Sequence, residues 1–189
     1  MTESLKPDAG RAMTRRSVAL WEAAGAAFIV VAGSALHFVF EWSGGWRPIA
    51  WLAAVNESTW EHFKLGFWPG LLFAGVEYPF LKDRVGNFWA GKAAGLWTMP
   101  VLIGIVFYGY KAVLGRHFLW ADIMLFVVAV AAGQAVSCRI LTAPPLKPVW
   151  RRLAAAGLIL LILAFALATY LPLDVFLFVD PRNGRTGIF

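Results

Sequence analysis

Five apolar runs dominate this chain, and each approaches the roughly 20 residues a helix needs to cross a bilayer. They cover about 18–40, 63–80, 88–110, 118–141 and 149–171. The runs are continuously apolar and lack the period-two alternation of a membrane strand, so helices are expected. The fold class that follows is all-α: an integral membrane bundle of about five transmembrane helices. Charged residues make up only 15% of the chain, where a soluble domain carries about a quarter. Pro69, Pro79 and Pro100 fall in or near these runs, which membrane helices accept where neighbours re-satisfy the freed carbonyls.

Lysine and arginine between the runs set an expected orientation. The tail 1–17 carries Lys6, Arg11, Arg15 and Arg16. The second connection carries Lys82 and Arg84, and the fourth Arg139, Lys147, Arg151 and Arg152. These segments are expected in the cytoplasm, with the first and third connections and the C-terminal segment outside. The first run is too long for a cleaved signal sequence and reads as a retained helix. Residues 18–171 then form a single transmembrane helical domain. Residues 172–189 are expected to fold back on the outer face, because "VFLFV" is apolar and "DP" and "NG" mark turns. The segment 49–55 is apolar but too short to cross, and reads as interfacial or re-entrant.

The net charge of +6 reports orientation and attraction to anionic lipid. Basic residues are scattered between apolar runs, which excludes a nucleic-acid surface. The expected partner is the lipid bilayer, and the sequence names no protein partner. Cys138 is the single cysteine, so no intrachain disulfide can form. Gly66 with Gly70, and Gly91 with Gly95, have the four-residue spacing that lets helices approach closely.

On this topology the polar residues gather at the outer end. His37 and Glu41 close the first helix, four apart and on one face. Asn56, Glu57, Trp60, Glu61 and His62 open the second, and His117 and Asp122 flank the start of the fourth. All three histidines fall on this side. Facing helix ends that present imidazoles and carboxylates can build a metal site, and zinc needs only three such ligands and a water. The plain reading stands beside it. Ser58 and Glu61 form a capping box, and acidic residues at a helix start complement its dipole. Glu22 and Glu77 sit near the inner helix ends, with Lys92 and Arg16 as candidate partners.

"LHFVFEW" (36–42), "VNESTWEHFKLGFWPGLLF" (55–73) and "FVDPRNGRTGI" (178–188) resemble a family of small bacterial multi-pass membrane proteins catalogued as a domain of unknown function. The resemblance covers nearly the whole chain. It implies residence in a bacterial inner membrane and supplies no activity. Thr186 stands where an aromatic is expected before the closing Gly-Ile. His37, Glu41, Asn56, Glu57, Trp60, Glu61, His62 and Asp180 match the signature stretches. Asn56, Trp60 and His62 also resemble, at a spacing two residues different, the Asn-x-Trp-x-His of the progestin and adiponectin receptor family, whose relatives are membrane zinc hydrolases. The seven helices and His-x-x-x-His pair of that family have no counterpart in this sequence.

The leading expectation is a non-transporting membrane protein with an outward-facing polar or metal site. If it is an enzyme, its chemistry is metal-assisted hydrolysis at the membrane surface. His37 and His62 would be ligands with Glu41 or Asp180, and Glu61 or Glu57 would activate the water. The alternatives are a structural or partner-binding membrane protein whose cluster caps helix ends, and a small transporter.

Overall fold

The computed structural model describes residues 13–189. Glu3, Lys6, Asp8 and Arg11 of the basic tail lie outside the described residues. Five α-helices follow one another: α1 (Arg15–Trp42), α2 (Thr59–Leu81), α3 (Phe88–Leu114), α4 (Leu119–Leu141) and α5 (Pro148–Leu167). Short 3-10 turns occupy Arg47–Ile49 and Phe176–Phe178. Among the described residues there is no strand beyond one isolated bridge between Val179 and Thr186.

The helix ends follow local chemistry. Thr14 caps α1, its hydroxyl accepting from the Ser17 amide at 3.2 Å. Ser58 caps α2 in the same way through the Glu61 amide at 3.4 Å, so α2 starts at Thr59, four residues before the apolar run suggests. The Asn87 side chain donates to the Ile140, Ala143 and Pro144 carbonyls and accepts from the Leu146 amide at 2.8 Å. One amide thereby joins the start of α3 to the α4–α5 connection. Gly115 ends α3 at φ +69°, a left-handed position that suits glycine. α5 stops at Leu167, short of the end of its apolar run, and Thr169 and Tyr170 turn their hydroxyls to other partners.

Four helices, α1, α3, α4 and α5, are long and apolar enough to cross a membrane. α2 differs from the expectation. It carries Glu61, His62, Lys64 and Glu77, and it is the most enclosed helix, with every residue from Phe63 to Gly70 buried. Its polar groups are met inside the bundle instead of being diluted by more apolar residues. α2 packs between α1 and α3, α4 packs on α1 and α3, and α5 lies against α3. Ile29, Phe67, Leu96, Met99, Val130 and Phe165 fill the core. Outward faces are apolar as well, with Leu20, Val31, Leu72, Ile105 and Leu160 all more than half exposed.

Glycines set the closest helix approach. A methyl group at Gly95 would stand 2.6 Å from the Gly133 carbonyl oxygen, and one at Gly133 would stand 2.7 Å from that of Gly95. Both distances are below contact, so α3 and α4 touch backbone to backbone here. Gly91 faces Ser137 and Leu141 of α4, while Gly66 faces Met99 and Phe126. The small residues at helix-packing spacing therefore serve contacts within one chain.

Candidate metal centre

His37 lies in the penultimate turn of α1, His62 in the first turn of α2, and Glu57 just before the α2 cap. The three converge. Glu57 Oε2 is 3.8 Å from His37 Nε2 and 3.6 Å from His62 Nε2. The two imidazole rings are 5.1 Å apart, and one ligand atom from each residue lies within 4.8 Å of the others. All three side chains are half-buried. The His37 imidazole beside Glu57 holds its carboxyl below the ordinary range, and His62 and Arg182 act in the same direction against the opposing effect of burial.

The second nitrogen of His62 fixes what the first can do. His62 Nδ1 is 2.8 Å from the Ser58 carbonyl oxygen. A carbonyl only accepts, so Nδ1 carries a proton, and in the neutral imidazole the lone pair is on Nε2, the nitrogen facing Glu57. His37 Nδ1 is buried with no hydrogen-bond partner among the described residues.

Beneath the cluster a second set of groups holds the chain in place. Lys64 Nζ is fully buried and donates to the Ala50 carbonyl at 2.7 Å, the Ala53 carbonyl at 2.8 Å and Thr169 Oγ1 at 2.8 Å. It also pairs with Glu61 Oε2 at 2.6 Å. Glu61 accepts in addition from the Val55 amide at 3.0 Å and the Thr169 hydroxyl at 2.8 Å. The capping box is thus half-formed: Ser58 caps Glu61, while Glu61 turns to Val55 and Lys64. Asn56 Oδ1 takes the Ser58 amide instead, at 2.8 Å. The segment 49–55 accordingly leaves the 3-10 turn Arg47–Ile49 as an irregular stretch stapled to α2 through its Ala50 and Ala53 carbonyls.

The C-terminal segment lies against the same place. Asn56 donates to the Gly187 carbonyl at 2.9 Å. Asp180, nearly inaccessible, accepts from the Glu57 amide at 3.4 Å, the Arg182 amide at 2.7 Å and the Asn183 side chain at 3.4 Å. Arg182 Nη2 reaches Glu57 Oε1 at 3.1 Å. Trp60 stacks on Phe178 with ring centres 4.5 Å apart.

The residues singled out by sequence therefore separate into groups. His37, Glu57 and His62 come together. Glu41, one turn beyond His37, is exposed and is not part of the gathered set. Glu61 is committed to Lys64, and Asp180 to the backbone around Glu57, so neither faces the imidazoles. His117 and Asp122 form a separate pair, Nδ1 to Oδ2 at 2.9 Å, with the Tyr110 hydroxyl also on Asp122. Arg182, Lys64 and Thr169 complete this region with no sequence pattern to mark them. "DPRNG" signalled only a turn, and a lysine two residues beyond a histidine signals nothing by itself.

No curated protein and no solved structure matches the chain. Residues 11–188, almost the full length, match a family of unknown function (DUF6512). The matched residues include the His37–Glu57–His62 cluster and the C-terminal segment beside it, and the chain belongs to that family of unknown function.

Proposed function

We propose that this is a multi-pass membrane protein that binds a transition metal, zinc by its donor set, between His37, Glu57 and His62. The observation that carries the reading is the spacing of three ligand atoms. At 3.6 and 3.8 Å the imidazoles are too far from the carboxylate for hydrogen bonds, which need roughly 2.7–3.2 Å. In a tetrahedral site with bonds near 2.0–2.1 Å, neighbouring ligand atoms stand about 3.3 Å apart. The two carboxylate–imidazole gaps would close around an ion by contracting a few tenths of an ångström, and the set as a whole, spread over 4.8 Å, by rotation of the imidazoles toward each other. Two histidines and a carboxylate leave the fourth position for water, the arrangement of a catalytic zinc site. Hydrolysis at the membrane surface is the chemistry such a centre supports, since the metal lowers the pKa of its water. Arg182, exposed at the rim, suits an anionic substrate group or developing oxyanion.

Apolar outer faces and four helices of spanning length support insertion. α2 becomes the fifth span, enclosed by its neighbours from Phe63 to Gly70 and turning Leu72, Val76 and Phe80 outward. The basic connections support an N-terminus in the cytoplasm of a bacterial cell, with the metal centre and the segment 172–189 on the outer side of the inner membrane. A structural role is the second reading, favoured by the Lys64–Glu61–Thr169 network, which already locks the helix ends without a metal. Elemental mass spectrometry of the untagged, detergent-purified chain separates the two. One equivalent of zinc, lost in His37→Ala and in His62→Ala, supports the metal centre. No metal after incubation with zinc leaves the locking role.

A further inference from the structure

A second polar cluster lies about 22 Å along α1 from His37, at 1.5 Å per residue. Glu22 of α1, Glu77 of α2 and Lys92 of α3 meet in the bundle, with Gln134 and Ser137 of α4 beside them. Lys92 Nζ pairs with Glu22 Oε1 at 2.6 Å and with Glu77. Ser137 donates to Glu22 Oε1 at 3.0 Å, and Gln134 donates to the Glu22 backbone carbonyl at 3.2 Å. All five residues are buried, Glu77 completely. Val18, Ala74, Leu81, Phe88 and Leu141 form an apolar cluster in this part of the bundle. The Phe88 ring lies 5.7 Å from Lys92 Nζ, and the partly buried Cys138 is the remaining titratable neighbour on α4.

The charges do not balance. Two carboxylates share one ammonium, which leaves one negative charge without compensation in an apolar interior. Glu22 Oε2 and Glu77 Oε1 are buried and have no hydrogen-bond partner among the described residues. A buried carboxylate oxygen left in this state is strongly unfavourable. We propose that the Glu22–Glu77–Lys92 cluster is a binding site for one monovalent cation, a proton or a sodium ion, held by these two unpartnered oxygens. The cation neutralises the site and ties α1 to α2, while Lys92 ties both to α3. This site stands apart from the metal centre, at another level of the bundle and with other ligands.

A ligand that binds only the folded chain raises its melting temperature. The full-length protein in detergent is therefore melted from about pH 6 to about pH 9, above the ordinary glutamate range, in choline and in sodium buffers. For a proton, the wild-type melting temperature falls as pH rises in both buffers. For sodium, the fall seen in choline is restored by sodium. In Glu77→Gln the surplus charge is gone, and both dependences flatten relative to wild type. Glu22→Gln removes the same charge and serves if Glu77→Gln does not fold. A wild-type melting temperature independent of pH and sodium overturns the proposal. So does a glutamine variant that keeps the full wild-type dependence.

Discussion

His62 donates its Nδ1–H to the Ser58 carbonyl over 2.8 Å, and this single bond decides that Nε2 is the nitrogen turned toward Glu57. The cap of α2 and the proposed ligand are thereby one device. Ser58 fixes where the helix starts, and its carbonyl fixes which face of the imidazole can hold an ion.

Loss of either imidazole should abolish stoichiometric zinc, since two remaining protein ligands hold the ion poorly. His37→Ala and His62→Ala are expected to lose zinc while retaining helical content. Metal analysis beside circular dichroism checks this. Helical, zinc-loaded variants would remove these residues from the ligand set.

Asp180 bears on the same centre without facing the imidazoles. Its carboxylate holds the Glu57 and Arg182 amides. Asp180→Ala should weaken zinc binding by about 10–100-fold, the usual effect of losing an outer-shell partner. Competition with a chelating dye measures it. Unchanged affinity would mean that Glu57 is positioned by other contacts.

Lys64 is expected to be among the most sensitive positions. Lys64→Met leaves Glu61 buried without its cation, and breaking such a pair costs about 3–5 kcal/mol. Lys64→Met with Glu61→Gln should recover much of the loss, because no unpaired charge remains. Thermal melts of the single and double variants test this, and a double variant no better than the single would contradict it.

The pH dependence of the outer cluster has a definite sign. Beside His37, Glu57 titrates below its ordinary value, so its contribution is present above the unfolded carboxyl range and is lost as pH falls through the folded value. Glu57→Gln should therefore flatten the acid limb of a melting curve against pH. Arg182→Gln should move the Glu57 titration up, which carbon NMR of labelled glutamate follows. An acid limb identical in Glu57→Gln and wild type would show that other carboxylates set it.

Backbone contact between α3 and α4 makes Gly95 and Gly133 intolerant of even one carbon. Gly95→Ala should cost about 1–3 kcal/mol, as overpacking commonly does. Gly109, with open space around it, is the control. Equal melting temperatures for Gly95→Ala and Gly109→Ala would argue against the close approach.

The helices were legible because apolar length is a direct physical requirement, and Gly95 because small residues recur at one-turn spacing. α2 was harder: its polar first half, with Phe63 to Gly70 buried, lies inside the bundle, and sequence does not state which helix is enclosed. At the site, the chemistry of His37 and His62 could be read, but not the identity of the third group. Glu41 shares a helix face with His37, yet Glu57 meets both imidazoles because the 43–58 connection folds back on α2. That fold depends on Lys64 holding carbonyls 11 and 14 residues away, a pairing no local pattern announces. Glu61 looked available for the same reason, since its claim on Lys64 and Thr169 becomes visible only in three dimensions.

The Asn56–Gly187 bond has a consequence for biosynthesis. Its partners are 131 residues apart, and four helices, α2 to α5, separate them in the chain. At the usual pace of translation, the groups around Glu57 wait on the order of ten seconds for the segment that closes over them. During that interval His37 and His62 are already in the chain, while Asp180 and Arg182 do not yet exist. An ion could therefore enter from water before the cover is laid down, so that loading would come before final closure.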